Sequence, residues 1–291
     1  MMNKSKILLL SLTFLFLFSG SAYGEEPEVK KDFYPSGKLR SETPYKNGKR
    51  EGLQTIWYES GGKREEYPYK NGKVEGLSTY WDESGRKVGE THYKNGKEEG
   101  LTTRWHEPGK KARESHFKNG KREGLETIWY ESGQKDFEVH FKNGKEEGPK
   151  TSWYESGQMK EVITYKNDNL DGLHREWYES GGLKFRGNWK NGEIEGFAYQ
   201  FYESGRKENE HYYKNGKAVK WTYWYESGGK LRETHFINGK IDVLKEWHKS
   251  GKKKLLKHFN GRKENGIRKE WDEDGKLTFE GNFVDGVEEI K

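Results

Sequence analysis

The chain has 291 residues, 35% of them charged and 30% hydrophobic, with aromatics alone at 15%, 37 Gly and no Cys. A disordered chain would be poor in aromatics, an aliphatic α/β core would need more Val, Ile and Leu, and the absence of Cys excludes disulfide frameworks, Cys-zinc sites and thiol catalysis. A mean hydropathy of -1.25 beside so much Trp, Tyr, Phe and Gly points to many short strands, many turns and a thin core.

In chain order the first element is an export signal. Lys4 and Lys6 precede an apolar run from Ile7 to Phe18, and Ala22-Tyr23-Gly24 follows as a small-x-small site. That is the three-part plan of a secretory signal peptide. The run is short against the roughly 20 residues that span a bilayer. Residues 1–24 are therefore expected to be removed near Gly24, leaving the mature chain periplasmic, on the cell surface or secreted. Residues 25–31 are charged and without pattern, and read as a flexible leader. The whole chain has 54 bases and 48 acids; losing Lys4 and Lys6 would leave a mature net charge of +4. Acids and bases alternate, and the nearest thing to a basic patch is Lys249, Lys252, Lys253, Lys254 and Lys257. A nucleic-acid binder carries a far larger one-sided excess, so nucleic acid is not expected as a partner.

Residues 32–291 are one unit repeated. Tyr45-Lys46-Asn47-Gly48 returns at Tyr69, Tyr93, Phe117, Phe141, Tyr165, Trp189 and Tyr213, then at Phe236, Phe259 and Phe283. Trp57-Tyr58-Glu59-Ser60-Gly61 returns at Trp81, Trp105, Trp129, Trp153 and Trp177 and onward to Trp271. Glu51-Gly52-Leu53 is a third recurring element. Asn-Gly is the strongest short hairpin signal, because a type I′ turn needs φ > 0 at both central residues. Glu-Ser-Gly supplies the opposite turn, and strand-length segments such as Leu53 to Tyr58 and Lys63 to Tyr69 lie between them. About 21 strands at roughly 4.8 Å spacing would give a long sheet that twists. The Gly after Glu is expected to admit a neighbouring ring or backbone.

Alternation places Leu53, Thr55 and Trp57 on one face and Gln54, Ile56 and Tyr58 on the other. Trp57, Trp81, Trp105, Trp129, Trp153 and Trp177 are expected to form the structural aromatic core. Tyr58, Tyr130, Tyr154, Tyr178, Tyr202 and Tyr225 are expected to form an exposed ladder and the candidate binding face. His92, His116, His140, His235 and His258 precede the second aromatic column and should point away from it. Adjacent units lie roughly 9–10 Å apart, which makes shared metal ligation awkward; these His read as exposed strand residues, ahead of a pH response or a metal row.

Units such as Tyr69-Lys70-Asn71-Gly72-Lys73-Val74-Glu75-Gly76 resemble the bacterial MORN-variant repeat, whose proteins are often labelled YwqK-type antitoxins. The likeness covers about residues 33 to 286. It implies an all-β, elongated antiparallel β-hairpin solenoid of about ten 24-residue repeats (a single twisted sheet). It also implies a non-catalytic scaffold for protein or membrane-lipid contact.

Chemistry-bearing motifs yield to the repeat. Ser60-Gly61-Gly62-Lys63 matches S-x-x-K, but it recurs as a hairpin turn, and a motif counts only in its context. Asn167-Asp168-Asn169-Leu170-Asp171-Gly172 starts like a calcium loop, yet Tyr178 stands where a bidentate Glu is required. No catalytic residue, cofactor site or metal site is expected. The reading is an exported, non-enzymatic repeat scaffold that binds a protein or a cell-envelope surface, lipid or glycan. The alternatives are a wall- or glycan-binding module, or an antitoxin or immunity protein neutralising a toxin.

Overall fold

The computed structural model describes residues 28–107 and 109–290; the expected signal peptide lies outside them. Among the described residues there is no helix, and 28 strands form one open sheet in which every pairing is antiparallel. The first strand, Glu28–Phe33, pairs with Leu39–Lys46. The leader expected over 25–31 is thus already strand from residue 28, because a fully exposed, charged edge strand needs only a ladder partner and no apolar pattern.

One unit shows how the rest is made. Gly52–Trp57 pairs with Lys63–Lys70, which turns at Asn71-Gly72 into Lys73–Val74. The turn asparagines Asn47, Asn71, Asn95, Asn119, Asn143, Asn167, Asn191, Asn215 and Asn238 all have φ of 50–54°. Their neighbouring glycines are also left-handed, with Gly48 at 69° and Gly72 at 81°. At the opposite edge, Tyr58 N–H donates to the Gly62 carbonyl at 2.8 Å and Gly61 N–H to the Tyr58 carbonyl at 2.9 Å. This tight turn forces a register slip between Ile56 and Trp57.

The strand count exceeds the expected one because Glu-Gly interrupts the outgoing strand, as between Lys49–Arg50 and Gly52–Trp57. What recurs at this Gly, whether or not the strand breaks there, is backbone conformation rather than crowding. Gly52, Gly148 and Gly196 have φ of 106°, 89° and 77°. A Cβ at Gly52 would come within 3.1 Å of Pro44, but at Gly148 and Gly196 it would meet nothing within 4 Å. What these positions share is the left-handed φ that only Gly adopts without cost.

The two faces differ in burial. Ser78, Thr91, Ser115 and Val139 are the side chains below 2% exposure. By alternation they share the face of Tyr93, Phe117 and Phe141. The expected Trp core lies on the other face and is only half-buried. A one-layer sheet has no second sheet to close over an indole, so the cover must come from neighbouring side chains.

Candidate functional site

Most units spend specific side chains on holding the next unit, and do so differently at the two long edges. At the Glu-Ser-Gly edge the tyrosine reaches forward. Tyr58 Oη donates to the Trp81 carbonyl at 2.8 Å, Tyr130 to Trp153 and Tyr154 to Trp177 at 2.9 Å. Tyr178, Tyr202 and Tyr225 do the same to Phe201, Trp224 and Trp247. Tyr34 begins the series on Trp57, and His106 and His248 take the tyrosine's place through Nε2. Burial raises the phenols of Tyr130, Tyr178 and Tyr202 above their ordinary value, which keeps the donor proton in place. The six tyrosines expected to form an exposed ladder are therefore half-buried, with their hydroxyls committed to the fold.

At the Asn-Gly edge the carboxylate of Glu-Gly reaches forward. Glu51 Oε2 accepts from Asn71 N–H at 2.6 Å, and Glu75, Glu99, Glu123 and Glu147 accept from the corresponding Asn of the next unit. Asp171 and Glu195 continue the row. The turns are also stitched backbone to backbone, with Gly72 N–H on the Arg50 carbonyl and Gly96 on Val74. The calcium-like segment belongs to this scheme. Asn167 and Asp168 are its turn, and Asp171 is its latch. The sequence signal for these latches is a carboxylate 20 residues before each Asn, which goes unremarked when Glu-Gly is read for its glycine.

Four of the six Trp rings of the expected core are covered by lysine. The ammonium of Lys63 lies 5.7 Å from the Trp81 ring centroid, and Lys87, Lys111 and Lys135 lie 5.3–5.7 Å from Trp105, Trp129 and Trp153. Each of these lysines also pairs with the Glu three residues on, as Lys63 with Glu66 at 2.6 Å and Lys87 with Glu90 at 2.7 Å. Stems cover indoles while the charged heads stay at the surface.

Most of the His row sits as alternation requires. His92, His116 and His140 are exposed, and His235 and His258 are half-buried. Nδ1 of His92, His116 and His258 lies 2.8–3.3 Å from a strand carbonyl across the hairpin.

Two titratable clusters are not legible in the sequence, because each draws members from different strands and occurs once. Glu161 and Glu176 are directly paired across strands, an unfavourable like-charge placement. His174 Nε2 sits between them, 2.8 Å from Glu161 and 3.4 Å from Glu176. Its hydrogen bond holds the Glu161 carboxyl below the ordinary value. These three ligand atoms lie within 4.8 Å of one another and are of zinc-binding type. However, His174 Nδ1 is buried without a partner, whereas a metal-bound His leans its second nitrogen on one. The trio is accounted for as relief of the Glu161–Glu176 pairing. The second cluster is buried Glu233, ringed by His235 at 2.7 Å, Lys230 at 2.9 Å, Lys220 at 3.1 Å and Lys245 at 3.9 Å.

The model of the MORN repeat variant matches residues 29–47, 50–71, 74–95, 122–143, 146–167, 170–191 and 264–285. No curated protein matches the chain. Among solved structures, the chain is similar to part of the crystal structure of TcdB2-TccC3-Cdc42, with 8% identity, a TM-score of 0.19 and coverage of 89% of this chain and 17% of that one. It is also similar to part of a Tc holotoxin pore of Photorhabdus luminescens, with 9% identity, a TM-score of 0.18 and coverage of 88% and 17%. The chain spans less than a fifth of either, and at such scores neither likeness bears on function.

Proposed function

Because the chain belongs to the MORN repeat variant family, we propose that it is an exported, non-enzymatic scaffold that binds a protein or cell-envelope partner along its length. Repeats of this kind are generally involved in protein or membrane binding. The observation that supports the scaffold reading is how each unit divides its side chains. The Tyr hydroxyl and the Glu carboxylate are committed to the next unit. The exposed remainder, Leu53, Leu77, Leu125 and Leu173 among it, recurs at the same place in several units. A long surface of identical units suits an extended partner. The tyrosine rings are candidate contacts. Export is supported by Lys4, Lys6 and the Ile7–Phe18 run.

Cell fractionation with cross-linking of the full-length gene product tests the reading. The expected outcome is a shortened chain outside the cytoplasm, cross-linked to an envelope component. A full-length chain confined to the cytoplasm would overturn export. An exported chain with no cross-linked partner would overturn the scaffold.

A further inference from the structure

The lysines of this protein fall into two sets that the fold treats oppositely. Those beside the Glu-Ser-Gly turns are engaged, each on a Glu and over a Trp. Those flanking the Asn-Gly turns are not. Lys46 is the direct cross-strand partner of Lys49, and the same Lys–Lys pairing recurs in each of the next four units, through Lys142 and Lys145. All are exposed. Among the described residues none of them lies in an ion pair.

Four of their stems start beside the next turn. A Cβ on Gly72 or Gly96 would lie 3.8 Å from the Cβ of Lys49 or Lys73, and on Gly120 or Gly144 it would lie 3.7 Å from that of Lys97 or Lys121. Lys49, Lys73, Lys97 and Lys121 therefore emerge directly beneath the next turn. The nearby Glu carboxylates accept from the Asn N–H groups, and among the described residues none of them pairs with these ammonium heads. The result is a row of paired, free ammonium groups along one edge, repeating about every 9–10 Å.

Stability does not require this. Like charges directly opposite each other on a sheet are destabilising. The same chain also folds with other pairs at the same site, namely Lys166 opposite Asn169 and Lys190 opposite Glu193. Five consecutive like-charged pairs are a stability cost that binding can explain.

We infer that the Asn-Gly edge from Lys46 to Lys145 is a track for a linear phosphate polymer. This deepens the scaffold reading, and rests on it, by assigning one surface and the chemistry of its partner. A flexible polymer is favoured over a membrane because the edge of a twisted sheet winds about the long axis. A flat bilayer meets only a short stretch of such an edge, while a chain can follow it. A base-free polymer is favoured over nucleic acid because single-strand binding needs exposed rings for stacking. None of the rings nearest this edge is exposed: Tyr45, Tyr69, Tyr93 and Phe117 are half-buried and Phe141 is buried, with Arg50 over Tyr69 and Arg122 over Phe141.

The test uses the mature chain and inorganic polyphosphate as probe, with poly(dT) and phosphatidylglycerol vesicles compared at equal phosphate. Polyphosphate should bind most tightly and lose roughly tenfold or more between 50 and 200 mM salt, as counterion release requires. Replacing Lys49, Lys73, Lys97, Lys121 and Lys145 with Glu copies the Lys190–Glu193 pairing. It should abolish binding while the melting temperature holds or rises. The same five changed to Gln should weaken binding at least tenfold, and serve if the Glu variant fails to fold. Changing Lys63, Lys87, Lys111 and Lys135 to Gln should lower the melting temperature and leave binding within twofold. Unaltered binding by a folded five-site variant would overturn the inference. So would tighter binding to poly(dT) or vesicles, or no polyphosphate binding at low salt. None of these outcomes bears on export or on cross-linking to another partner, so the scaffold reading stands or falls separately.

Discussion

A single hydroxyl separates two readings of the tyrosine column. If Tyr130 were an exposed contact, losing Oη would leave the fold untouched. Because Oη donates to the Trp153 carbonyl at 2.9 Å, Tyr130→Phe should cost about 1 kcal/mol, the usual net worth of such a bond. A denaturant melt unchanged within error would return the hydroxyl to solvent. Glu233 is the other residue whose environment makes a firm statement. Burial opposes its ionisation, but hydrogen bonds from His235, Lys230 and Lys220 outweigh that and hold its carboxyl at about 2, against an ordinary 4.5. A depressed folded value means the ionised form stabilises the fold above the unfolded value, and that this contribution fades as pH falls toward 2. The melting-temperature gap between the wild type and Glu233→Gln should therefore close between pH 5 and pH 2. A gap of constant size would show that the surrounding bases do not act on this carboxylate.

At the scale of the hairpin, the Asn-Gly turns, the strand lengths and the alternation were legible because each depends on residues adjacent in sequence. Asn71 and Gly72 need no distant partner to demand a type I′ turn. The latches were not legible in that way, since Glu51 and Asn71, or Tyr58 and Trp81, meet only after two strands have been laid side by side. The burial of the two faces was misjudged for a related reason. Ring size alone put the core at Trp, but in a single layer the small residues Ser78, Thr91 and Ser115 become most buried, because larger neighbours close over them. The Glu-Gly interruption gives an element-scale prediction that separates backbone strain from crowding. Gly196 has φ of 77° and open space where a Cβ would go, whereas Gly172 has φ of 125° and Thr164 only 3.0 Å away. Gly196→Ala should cost roughly 1–2 kcal/mol, the left-handed penalty alone. Gly172→Ala should cost more. Equal losses in parallel urea melts would mean that strain dominates both.

Across the whole molecule, stability is a sum of unit and interface terms, because each hairpin touches only its neighbours. The interfaces are not equal. Carboxylate latches run without a break from Glu51–Asn71 to Glu195–Asn215 and resume, through an Asn side chain, at Asn265–Asp285. The backbone bonds that stitch turn to turn run from Gly72 to Gly192 and resume at Gly286. Between them Val219 stands at the latch position, and Lys217–Trp224 and Lys240–Trp247 run as uninterrupted strands. The opposite edge is still closed there, with Tyr202 on Trp224, Tyr225 on Trp247 and His248 on Trp271. The segment from 217 to 263 is thus fastened along one edge only. Two absent bonds at about 1 kcal/mol each would lower its local opening free energy by about 2 kcal/mol. Amide exchange followed by NMR should then show Asn238 and Gly239 exchanging roughly thirtyfold faster than Asn143 and Gly144. At the other edge, Gly205 and Gly228 should match Gly133 and Gly157, since their turns are closed alike. Uniform protection along the Asn-Gly edge would show that the Glu latches add nothing to the interfaces. Fast exchange at both edges of this segment would instead place the weakness in the strand pairing itself, where Val219 and the missing bulge glycine alter the ladder.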